Sequence, residues 1–425
     1  MRQVMALVLS GGGGERMGVL SAERAVSAIP FGGKYRIIDF ALSNCCHSEI
    51  VHVGVLTQHA PTSLHDHIGA GRPWDLDRRG GGVMVLQPYL TRSNSGWYRG
   101  TADAIAQNLD SIDERGGDRI LVLAGDHVYR MDYRALVQTH EQQRAAVTLA
   151  VTPVPRDQTR RFGMVTVDGE GRVTRLDEKP ASSETLLASM GIYLFESDVL
   201  REALRGRPVD LVLDVLRPLL DSGVRLAAHA FSGYWEDVGT IGSYYRANLE
   251  LVAPEPRLVM HDRRWPILTR DEERPPALLL EGADVEDSVI ANGCRIAGRV
   301  RRSVIFPGVA IGAGCEIVDS IVLPDVIVER GARLTGAILD KYVRVGEGAR
   351  VGRAALDDPS APAPSASDGW LEGLTLVGKD AVLPPGLRVG PGAVIGHGAL
   401  PEDFGEGEVG AGALTPNRTW YGDRT

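Results

Sequence analysis

The sequence has few cysteines, no long apolar run and no excess of positive charge. Four cysteines among 425 residues are too few for a disulfide framework, and none lies at a metal-ligand spacing. No stretch approaches the roughly 18 apolar residues of a membrane span, and the short N-terminal apolar run lacks a cleavage pattern. A net charge of −9 argues against a general binder of nucleic acids or anionic membranes. These absences predict a cytoplasmic protein with neither nucleic acid nor membrane as a partner.

Glycine, by contrast, is abundant, and it is concentrated in an N-terminal loop and in the last third of the chain. The apolar run 4–9 is followed at once by Ser10, four glycines, Glu15 and Arg16. Backbone N–H groups of glycines can approach a phosphate closely, and an arginine adds a charged fork. A plain glycine turn is an equally good interpretation of these residues alone. No Gly-Lys-Ser/Thr follows, and the dinucleotide-binding spacing is missing.

Residues 1–252 alternate apolar strands with helical segments, which predicts a Rossmann-like α/β domain with a mostly parallel sheet. Residues 101–112 and 132–144 are predicted helices, and the apolar run 120–124 is a predicted strand that ends in Gly125 and Asp126. Ligands of such sheets bind beyond the carboxyl ends of the strands. The glycine loop and Asp126 are therefore expected to face one cleft.

Three side chains in this region are candidates for phosphate chemistry. Asp126 suits Mg²⁺ held beside substrate phosphates, with a helix N-cap as the weaker alternative. Asp237 is a second candidate for that metal, although alone it is more often a turn residue. Lys179, beside a proline-pinned turn, is a candidate for gripping a sugar phosphate, although a lone lysine usually lies on a solvated face.

The sequence pattern changes after a proline-rich linker at residues 253–276. Between residues 277 and 425, triplets of one small residue and two apolar residues recur, beginning at residues 288, 303, 320 and 337. Apolar residues also step by six within each turn, as in Ile305, Ile311 and Ile317. Three steps of about six residues make one coil of a triangular parallel β-helix. The run 357–369 interrupts the repeat and is predicted to be a flexible loop.

Seven segments, in order along the chain, resemble ADP-glucose pyrophosphorylase, the glucose-1-phosphate adenylyltransferase family. They are the glycine loop with Arg16, FGGKYRIIDFALSNC at 31–45, WYRGTADA at 97–104, LAGDHVY at 123–129, EKP at 178–180, ASMGIY at 188–193 and DVGT at 237–240. The family also carries a C-terminal left-handed parallel β-helix, so the resemblance covers nearly the whole chain. Some of these elements are shared with relatives that use UTP or dTTP, so another nucleotide or hexose phosphate is an alternative.

The resemblance implies adenylyl transfer from ATP to α-D-glucose 1-phosphate, giving ADP-glucose and pyrophosphate for glycogen or α-glucan synthesis. It also implies an Mg²⁺ cofactor, an allosteric metabolite, and a homotetramer or a hetero-oligomer with a related subunit. By position, the ATP contacts would be Gly11, Gly12, Gly14, Arg16, Gln87, Gly100 and Thr101. The glucose 1-phosphate contacts would be Tyr98, Gly163, Glu178, Lys179, Ser189 and Asp237. The metal ligands would be Asp126 and Asp237, and the residues most directly involved in catalysis would be Arg16, Asp126 and Lys179.

One position departs from the family pattern. Where the family reads Arg-Ala-Lys-Pro-Ala-Val, this chain has Val26 in place of the lysine and Ser27 in place of the proline. Loss of an ammonium group beside a developing pyrophosphate removes a transition-state contact, and comparable losses cost on the order of 10²–10³ in rate. The alternative hypothesis is therefore a weak or inactive homologue that modulates an active subunit. An acyltransferase with the same β-helix is disfavoured, because the repeat's only histidine, His397, has no supporting pattern.

Overall fold

The computed structural model describes residues 3–89, 96–113, 117–355, 365–367, 370–405 and 407–418. The chain divides into two compact units. The first comprises Met1–Gly13, Ile38–Trp235 and Arg264–Leu268, and the second comprises Gly14–Ile37, Glu236–Arg263 and Thr269–Thr425.

Thirteen strands and eight α-helices precede the repeats within the described ranges. The strands are β1 Val4–Ser10, β2 Pro30–Phe31, β3 Tyr35–Arg36, β4 His52–Thr57, β5 Gly82–Leu86, β6 Arg119–Ala124, β7 His127–Tyr129, β8 Val147–Pro153, β9 Gly163–Val167, β10 Val173–Glu178, β11 Leu187–Glu196, β12 Leu226–Ala230 and β13 Trp235–Asp237. The helices are α1 Ile38–His47, α2 Thr62–Ile68, α3 Thr101–Gln107, α4 Leu109–Asp113, α5 Tyr133–Gln142, α6 Ser197–Leu204, α7 Arg217–Asp221 and α8 Ile241–Glu250. Among the residues with described positions, no helix has the length and hydropathy needed to cross a membrane.

The first unit is built on a nine-stranded sheet with the order β10-β9-β11-β6-β1-β4-β5, and β8 joins β11 to β12. The run from β6 through β1 and β4 to β5 is parallel, whereas β11 runs antiparallel to β6, β8 and β9. The predicted α/β fold is confirmed, and β11 makes its sheet mixed. Met5, Leu7 and Val122 are fully buried in the core on this sheet.

Two predicted helices differ from the observed ones at points where a side chain competes for backbone groups. The segment predicted as one helix at 101–112 is two, α3 and α4, interrupted at Asn108. The Asn108 side-chain amide donates to the carbonyl oxygen of Ala104 at 2.8 Å and to the Tyr98 hydroxyl at 2.9 Å. The helix predicted from residue 132 begins one residue later, because the Asp132 carboxylate caps it by accepting the backbone N–H of Arg134 at 3.0 Å.

The second unit contains the repeats, which form three parallel sheets. Their orders are β14-β17-β20-β23-β26-β31, β15-β18-β21-β24-β27-β32-β34 and β16-β19-β22-β25-β30-β33. The strands are β14 Leu278–Leu279, β15 Asp284–Glu286, β16 Val289–Ile290, β17 Arg295–Ile296, β18 Arg299–Arg301, β19 Val304–Ile305, β20 Ala310–Ile311, β21 Glu316–Val318, β22 Ile321–Val322, β23 Ile327–Val328, β24 Arg333–Thr335, β25 Ala337–Leu339, β26 Arg344–Val345, β27 Arg350–Gly352, β28 Ser365–Ser367, β29 Trp370–Glu372, β30 Thr375–Val377, β31 Val382–Leu383, β32 Arg388–Val389, β33 Val394–Ile395 and β34 Glu408–Val409.

The six-residue spacing corresponds directly to these sheets. Ile305, Ile311 and Ile317 lie one in each sheet, and all three are buried in a common core. The predicted β-helix is confirmed. Most of the predicted loop at 357–369 lies outside the described residues, and its described part, β28, pairs antiparallel with β29.

A buried ion pair joins the N-terminal segment of the second unit to the repeats. The Arg24 guanidinium donates to both carboxylate oxygens of Asp340, at 2.8 and 2.9 Å, and the two side chains are 5% and 0% exposed. Removing one partner of a buried pair leaves the other charge without compensation. Arg24 therefore fixes the segment that carries Val26 to one coil of the β-helix.

We expect Arg24→Ala to destabilise the protein by about 3 kcal/mol, because it leaves Asp340 buried and unpaired. The measurement is the denaturant midpoint of the full chain, followed by circular dichroism. Arg72→Ala is the matched control, because the Arg72–Asp77 pair is exposed and its loss should cost less than about 1 kcal/mol. Equal shifts of the denaturant midpoint in the two variants would contradict a special stabilising role of the Arg24–Asp340 pair.

Candidate active site

The carboxyl ends of three neighbouring parallel strands meet at one edge of the large sheet. β1 pairs with β6 on one side and with β4 on the other. The glycine loop follows β1, and Asp126 follows β6 after a single glycine. The backbone N–H of Gly125 donates to the carbonyl oxygen of Leu9 at 3.0 Å, and a β-carbon on Gly125 would lie 2.6 Å from that oxygen. Glycine therefore lets Asp126 begin close to the loop, at the edge where such sheets bind ligands.

Gly11 and Gly12 are the first two glycines of the loop, and their surroundings differ. A β-carbon on Gly11 would lie 3.5 Å from Cβ of Gln58 and 3.8 Å from a ring carbon of Tyr98, whereas no described atom lies within 4 Å of the same point on Gly12. Gln58 holds Tyr98 through two bonds. Its Oε1 accepts the Tyr98 backbone N–H at 2.5 Å, and its Nε2 donates to the Tyr98 carbonyl at 3.4 Å. Gly12 is exposed, so an anion can approach the loop backbone at this residue.

Gly14 and Val26 are in contact within the second unit. Gly14 has a φ of +67° at the start of the 3-10 turn Glu15–Ser21, in which Arg16 is exposed. A β-carbon on Gly14 would lie 2.8 Å from Cγ2 of Val26, and the Ser21 hydroxyl donates to the Gly14 carbonyl at 2.7 Å. Val26 therefore packs an apolar side chain against the loop backbone and offers no hydrogen-bond donor there.

Gly100 and Thr101 are held by a neighbouring segment of the first unit. A β-carbon on Gly100 would lie 2.5 Å from the carbonyl oxygen of Val209, and the Thr101 hydroxyl accepts the backbone N–H of Leu211 at 2.9 Å. These contacts account for both residue types through packing. Gln87 is exposed just beyond β5, at the same sheet edge as the glycine loop. The assignment of these three residues to ATP stays a prediction.

His127 lies between Asp126 and Trp235. The Trp235 indole N–H donates to His127 Nδ1 at 3.3 Å, and the two rings meet edge to face with centroids 5.3 Å apart. The other ring nitrogen, Nε2, lies 3.5 Å from Asp126 Oδ1. A β-carbon on Gly191 would lie 3.2 Å from His127 Cε1, so glycine makes room for the ring. His127 is thus held beside the Asp126 carboxylate, and both side chains belong to a group of residues that could hold a metal ion.

Asp237, the second predicted metal ligand, lies in the second unit. It ends β13, the strand that begins with Trp235, and residues two apart on a strand project to the same face. Its Oδ1 accepts the backbone N–H of Gly239 at 2.8 Å, which fixes the carboxylate. Its role as a metal ligand stays a prediction.

Three predicted glucose 1-phosphate contacts lie together on β9, β10 and β11. The sheet register pairs Glu178 with Gly163. A β-carbon on Gly163 would lie 2.9 Å from Glu178 Oε2 and 3.8 Å from Cβ of Ser189, so glycine leaves the space that the carboxylate occupies. The Ser189 hydroxyl donates to the Tyr193 hydroxyl oxygen at 3.1 Å. Burial raises the pKa of Tyr193 to about 12, so its phenol stays neutral near Glu178.

Lys179 follows Glu178 in a left-handed backbone conformation, with a φ of +44°. Its backbone N–H donates to the carbonyl oxygen of Phe162 at 3.2 Å, which fixes the turn. Its ammonium group is 3.6 Å from Glu178 Oε1, and the side chain is 57% exposed. A carboxylate suited to sugar hydroxyls and an ammonium suited to a phosphate are therefore adjacent at the end of β10.

Two family signatures match the chain. The nucleotidyl transferase family matches residues 5–253, and the GlmU-like C-terminal hexapeptide family matches residues 276–367. A Thermomicrobium roseum protein named glucose-1-phosphate adenylyltransferase is 48% identical, over 98% of this chain and 97% of its own length. Proteins of the same name from Pseudothermotoga lettingae and Thermotoga maritima are 44% and 48% identical, over 97% and 95% of this chain and 98% and 96% of their own lengths. The chain belongs to the glucose-1-phosphate adenylyltransferase family.

Membership of the glucose-1-phosphate adenylyltransferase family confirms the resemblance drawn from the seven motifs. The hexapeptide match agrees with the expected left-handed β-helix. Nucleotidyltransferases of this kind generally use a divalent metal ion. None of these comparisons favours the alternative of an inactive homologue.

Sequence reasoning missed several residues at the sheet edge of this glucose-1-phosphate adenylyltransferase homologue. Gln58 and His127 are the clearest cases, because each directly contacts a residue that the motifs had assigned. His127 lies next to Asp126 in the Gly-Asp-His motif, so adjacency could have drawn attention to it. Gln58 directly follows β4, a neighbour of β1, and strand order was the signal that could have identified it.

Proposed function

We propose that this protein transfers the adenylyl group of ATP to α-D-glucose 1-phosphate, releasing pyrophosphate and forming ADP-glucose for glycogen or α-glucan synthesis. The observation that carries the proposal is the sequence identity of 44–48%, over nearly the full length of the chain, to proteins named for this activity. The sheet edge supports it, because the glycine loop and Asp126 follow neighbouring strands. The clustering of Gly163, Glu178 and Ser189 supports a second, sugar-phosphate subsite.

The reaction is an in-line displacement at the α-phosphorus of ATP. A phosphate oxygen of glucose 1-phosphate forms the new bond to that phosphorus. The bond that breaks joins the α-phosphorus to the oxygen bridging the α- and β-phosphates. Pyrophosphate leaves with the electron pair, so positioning and charge neutralisation supply most of the catalysis. In this proposal, the amides of Gly11 and Gly12 and the guanidinium of Arg16 hold the triphosphate, and Lys179 and Glu178 hold glucose 1-phosphate.

Asp126 and Asp237 are the residues that we assign to Mg²⁺. Carboxylate oxygens are the donors that Mg²⁺ prefers, and one or two of them commonly bind it together with substrate phosphates. Asp126 fits this requirement, because its side chain is 35% exposed at the sheet edge and lies 3.5 Å from His127 Nε2. The ion, when bound, neutralises charge on the phosphates.

The primary experiment supplies the purified full chain with Mg²⁺, ATP and glucose 1-phosphate and measures ADP-glucose and pyrophosphate together. Equal amounts of the two products are expected. Parallel reactions with UTP and dTTP test the alternative nucleotides, and faster turnover with either would replace ATP in the proposal. Absence of turnover by the chain alone, with stimulation of an active relative on mixing, would favour the inactive regulatory homologue.

We expect Lys179→Ala to raise the KM for glucose 1-phosphate about tenfold, because it removes one charge-assisted hydrogen bond at a partly exposed site. The KM for ATP should change less than about twofold. Lys179→Arg is the matched control, because it keeps the charge and should recover most of the loss. If Lys179→Ala instead raises the KM for ATP, the lysine is assigned to the wrong substrate.

The family resemblance also carries three further proposals: a cytoplasmic location, a homotetramer or hetero-oligomer with a related subunit, and control by an allosteric metabolite. Light scattering of the pure chain tests the assembly, and a tetramer mass is the expected result. Addition of phosphorylated metabolites to the assay tests the control. A monomeric pure chain would contradict the homotetramer, and a rate that none of the added metabolites changes would contradict the allosteric control.

A further inference from the structure

His59 lies beside the glycine loop at a point that the sequence motifs do not mark. It follows Gln58 at the end of β4, the strand that neighbours β1. A β-carbon built on Gly13 would lie 3.8 Å from His59 Nε2 and 3.9 Å from Cδ2, and no other described atom is within 4 Å. The nitrogen-bearing edge of the imidazole therefore lies beside the backbone of Gly13.

Two adjacent contacts hold the imidazole there. His59 stacks on Trp97, with ring centroids 5.4 Å apart and an angle of 22° between the planes. The preceding residue, Gln58, is bonded at both ends of its amide to Tyr98, the residue that follows Trp97. Both rings of the stack are exposed, and Trp97 is 63% exposed. The stack lies at the surface and places the imidazole beside the loop.

Among the described residues, the ring nitrogen nearest the loop, Nε2, makes only one long contact. Gln58 Nε2 lies 3.4 Å from His59 Nε2, at the outer limit of a hydrogen bond, so that contact is readily exchanged for a better one. A neutral imidazole offers one N–H and an imidazolium offers two. Phosphate oxygens are strong acceptors for such donors.

We propose that His59 is a further ATP-binding residue, which donates a ring N–H to the triphosphate held by the glycine loop. The inference rests on the proposed function. It adds a hydrogen-bond donor beside Gly13, whereas Val26 offers no donor to the loop. Trp97 is the positioning residue, because its stack fixes the imidazole.

The test compares His59→Phe, which keeps the aromatic stack and removes the N–H, with His59→Lys, which restores a donor. We expect His59→Phe to weaken Mg²⁺-pyrophosphate binding about tenfold, measured by calorimetry on the full chain, and to raise the KM for ATP by a similar factor. His59→Lys should recover most of both losses. His261→Gln, at an exposed histidine of the second unit, is the control and should change neither.

Three outcomes separate the possibilities. Pyrophosphate affinity unchanged in His59→Phe would overturn the inference. Weaker binding of adenosine with unchanged pyrophosphate affinity would assign the residue to the base and would equally overturn it. Because calorimetry needs no turnover, a wild-type chain that makes no ADP-glucose yet binds pyrophosphate through His59 would overturn the proposed function and support this inference.

Discussion

Asp126→Asn lowers kcat by at least about 10³-fold, if the carboxylate after β6 holds the metal ion. A bound divalent ion supplies several kcal/mol of transition-state stabilisation, and an amide oxygen is a far weaker ligand than a carboxylate. Asparagine keeps the size of the side chain, so the fold at the sheet edge should survive. The measurement is kcat at saturating substrates together with the Mg²⁺ concentration for half-maximal rate, which should rise.

The control for this substitution is Asp198→Asn, which removes a carboxylate that is 97% exposed at the start of α6. Its kcat should stay within about twofold of the wild type. An Asp126→Asn enzyme with the wild-type rate and Mg²⁺ response would show that the metal assignment is wrong.

His127→Gln should lower kcat less than Asp126→Asn does, because a residue that orients a ligand acts only through that ligand.

Val26→Lys raises kcat at least tenfold, and on the order of 10² if the full phosphate contact is restored. Val26 lies against Gly14 in the second unit, so a lysine side chain would start at the glycine loop. Lysine is unbranched at Cβ, so its side chain has one γ-carbon where valine has two. The assay is steady-state formation of ADP-glucose.

Val26→Met separates charge from size, because it extends the side chain without an ammonium group and should leave kcat near the wild-type value. An unchanged kcat in Val26→Lys would show that the valine does not limit the reaction rate. The double variant Val26→Lys/His59→Phe connects the two loop predictions. If His59 binds the same phosphates, the lysine should restore most of the ATP affinity that His59→Phe loses. The effects of the two substitutions on ATP affinity will then not add.

The sequence predicted the repeats better than the sheet. Each β-helix coil is encoded by local six-residue steps, and Ile305, Ile311 and Ile317 occupy the three sheets as that spacing requires. Alternating apolar segments likewise predicted the α/β domain. They did not predict the direction of β11, because strand direction depends on how the chain returns to the sheet and not on the pattern within the strand.

The motifs identified Gly11, Asp126, Lys179 and Ser189 as candidates because these residues stand in family order along the chain. Helix boundaries were less predictable. Asn108 interrupts a helix-like pattern through its own hydrogen bonds, and periodicity does not register such competition.

The sequence by itself determined the family, the two kinds of architecture and the missing lysine at Val26, because each is written in contiguous residues or in a fixed period. Only the tertiary structure decided that Trp235 fixes His127 beside Asp126, that Arg24 is bound to Asp340, and that His59 faces the glycine loop. These contacts join residues that are 46 to 316 positions apart in the chain. Their geometry depends on strand order and coil register, which no local pattern of residues encodes.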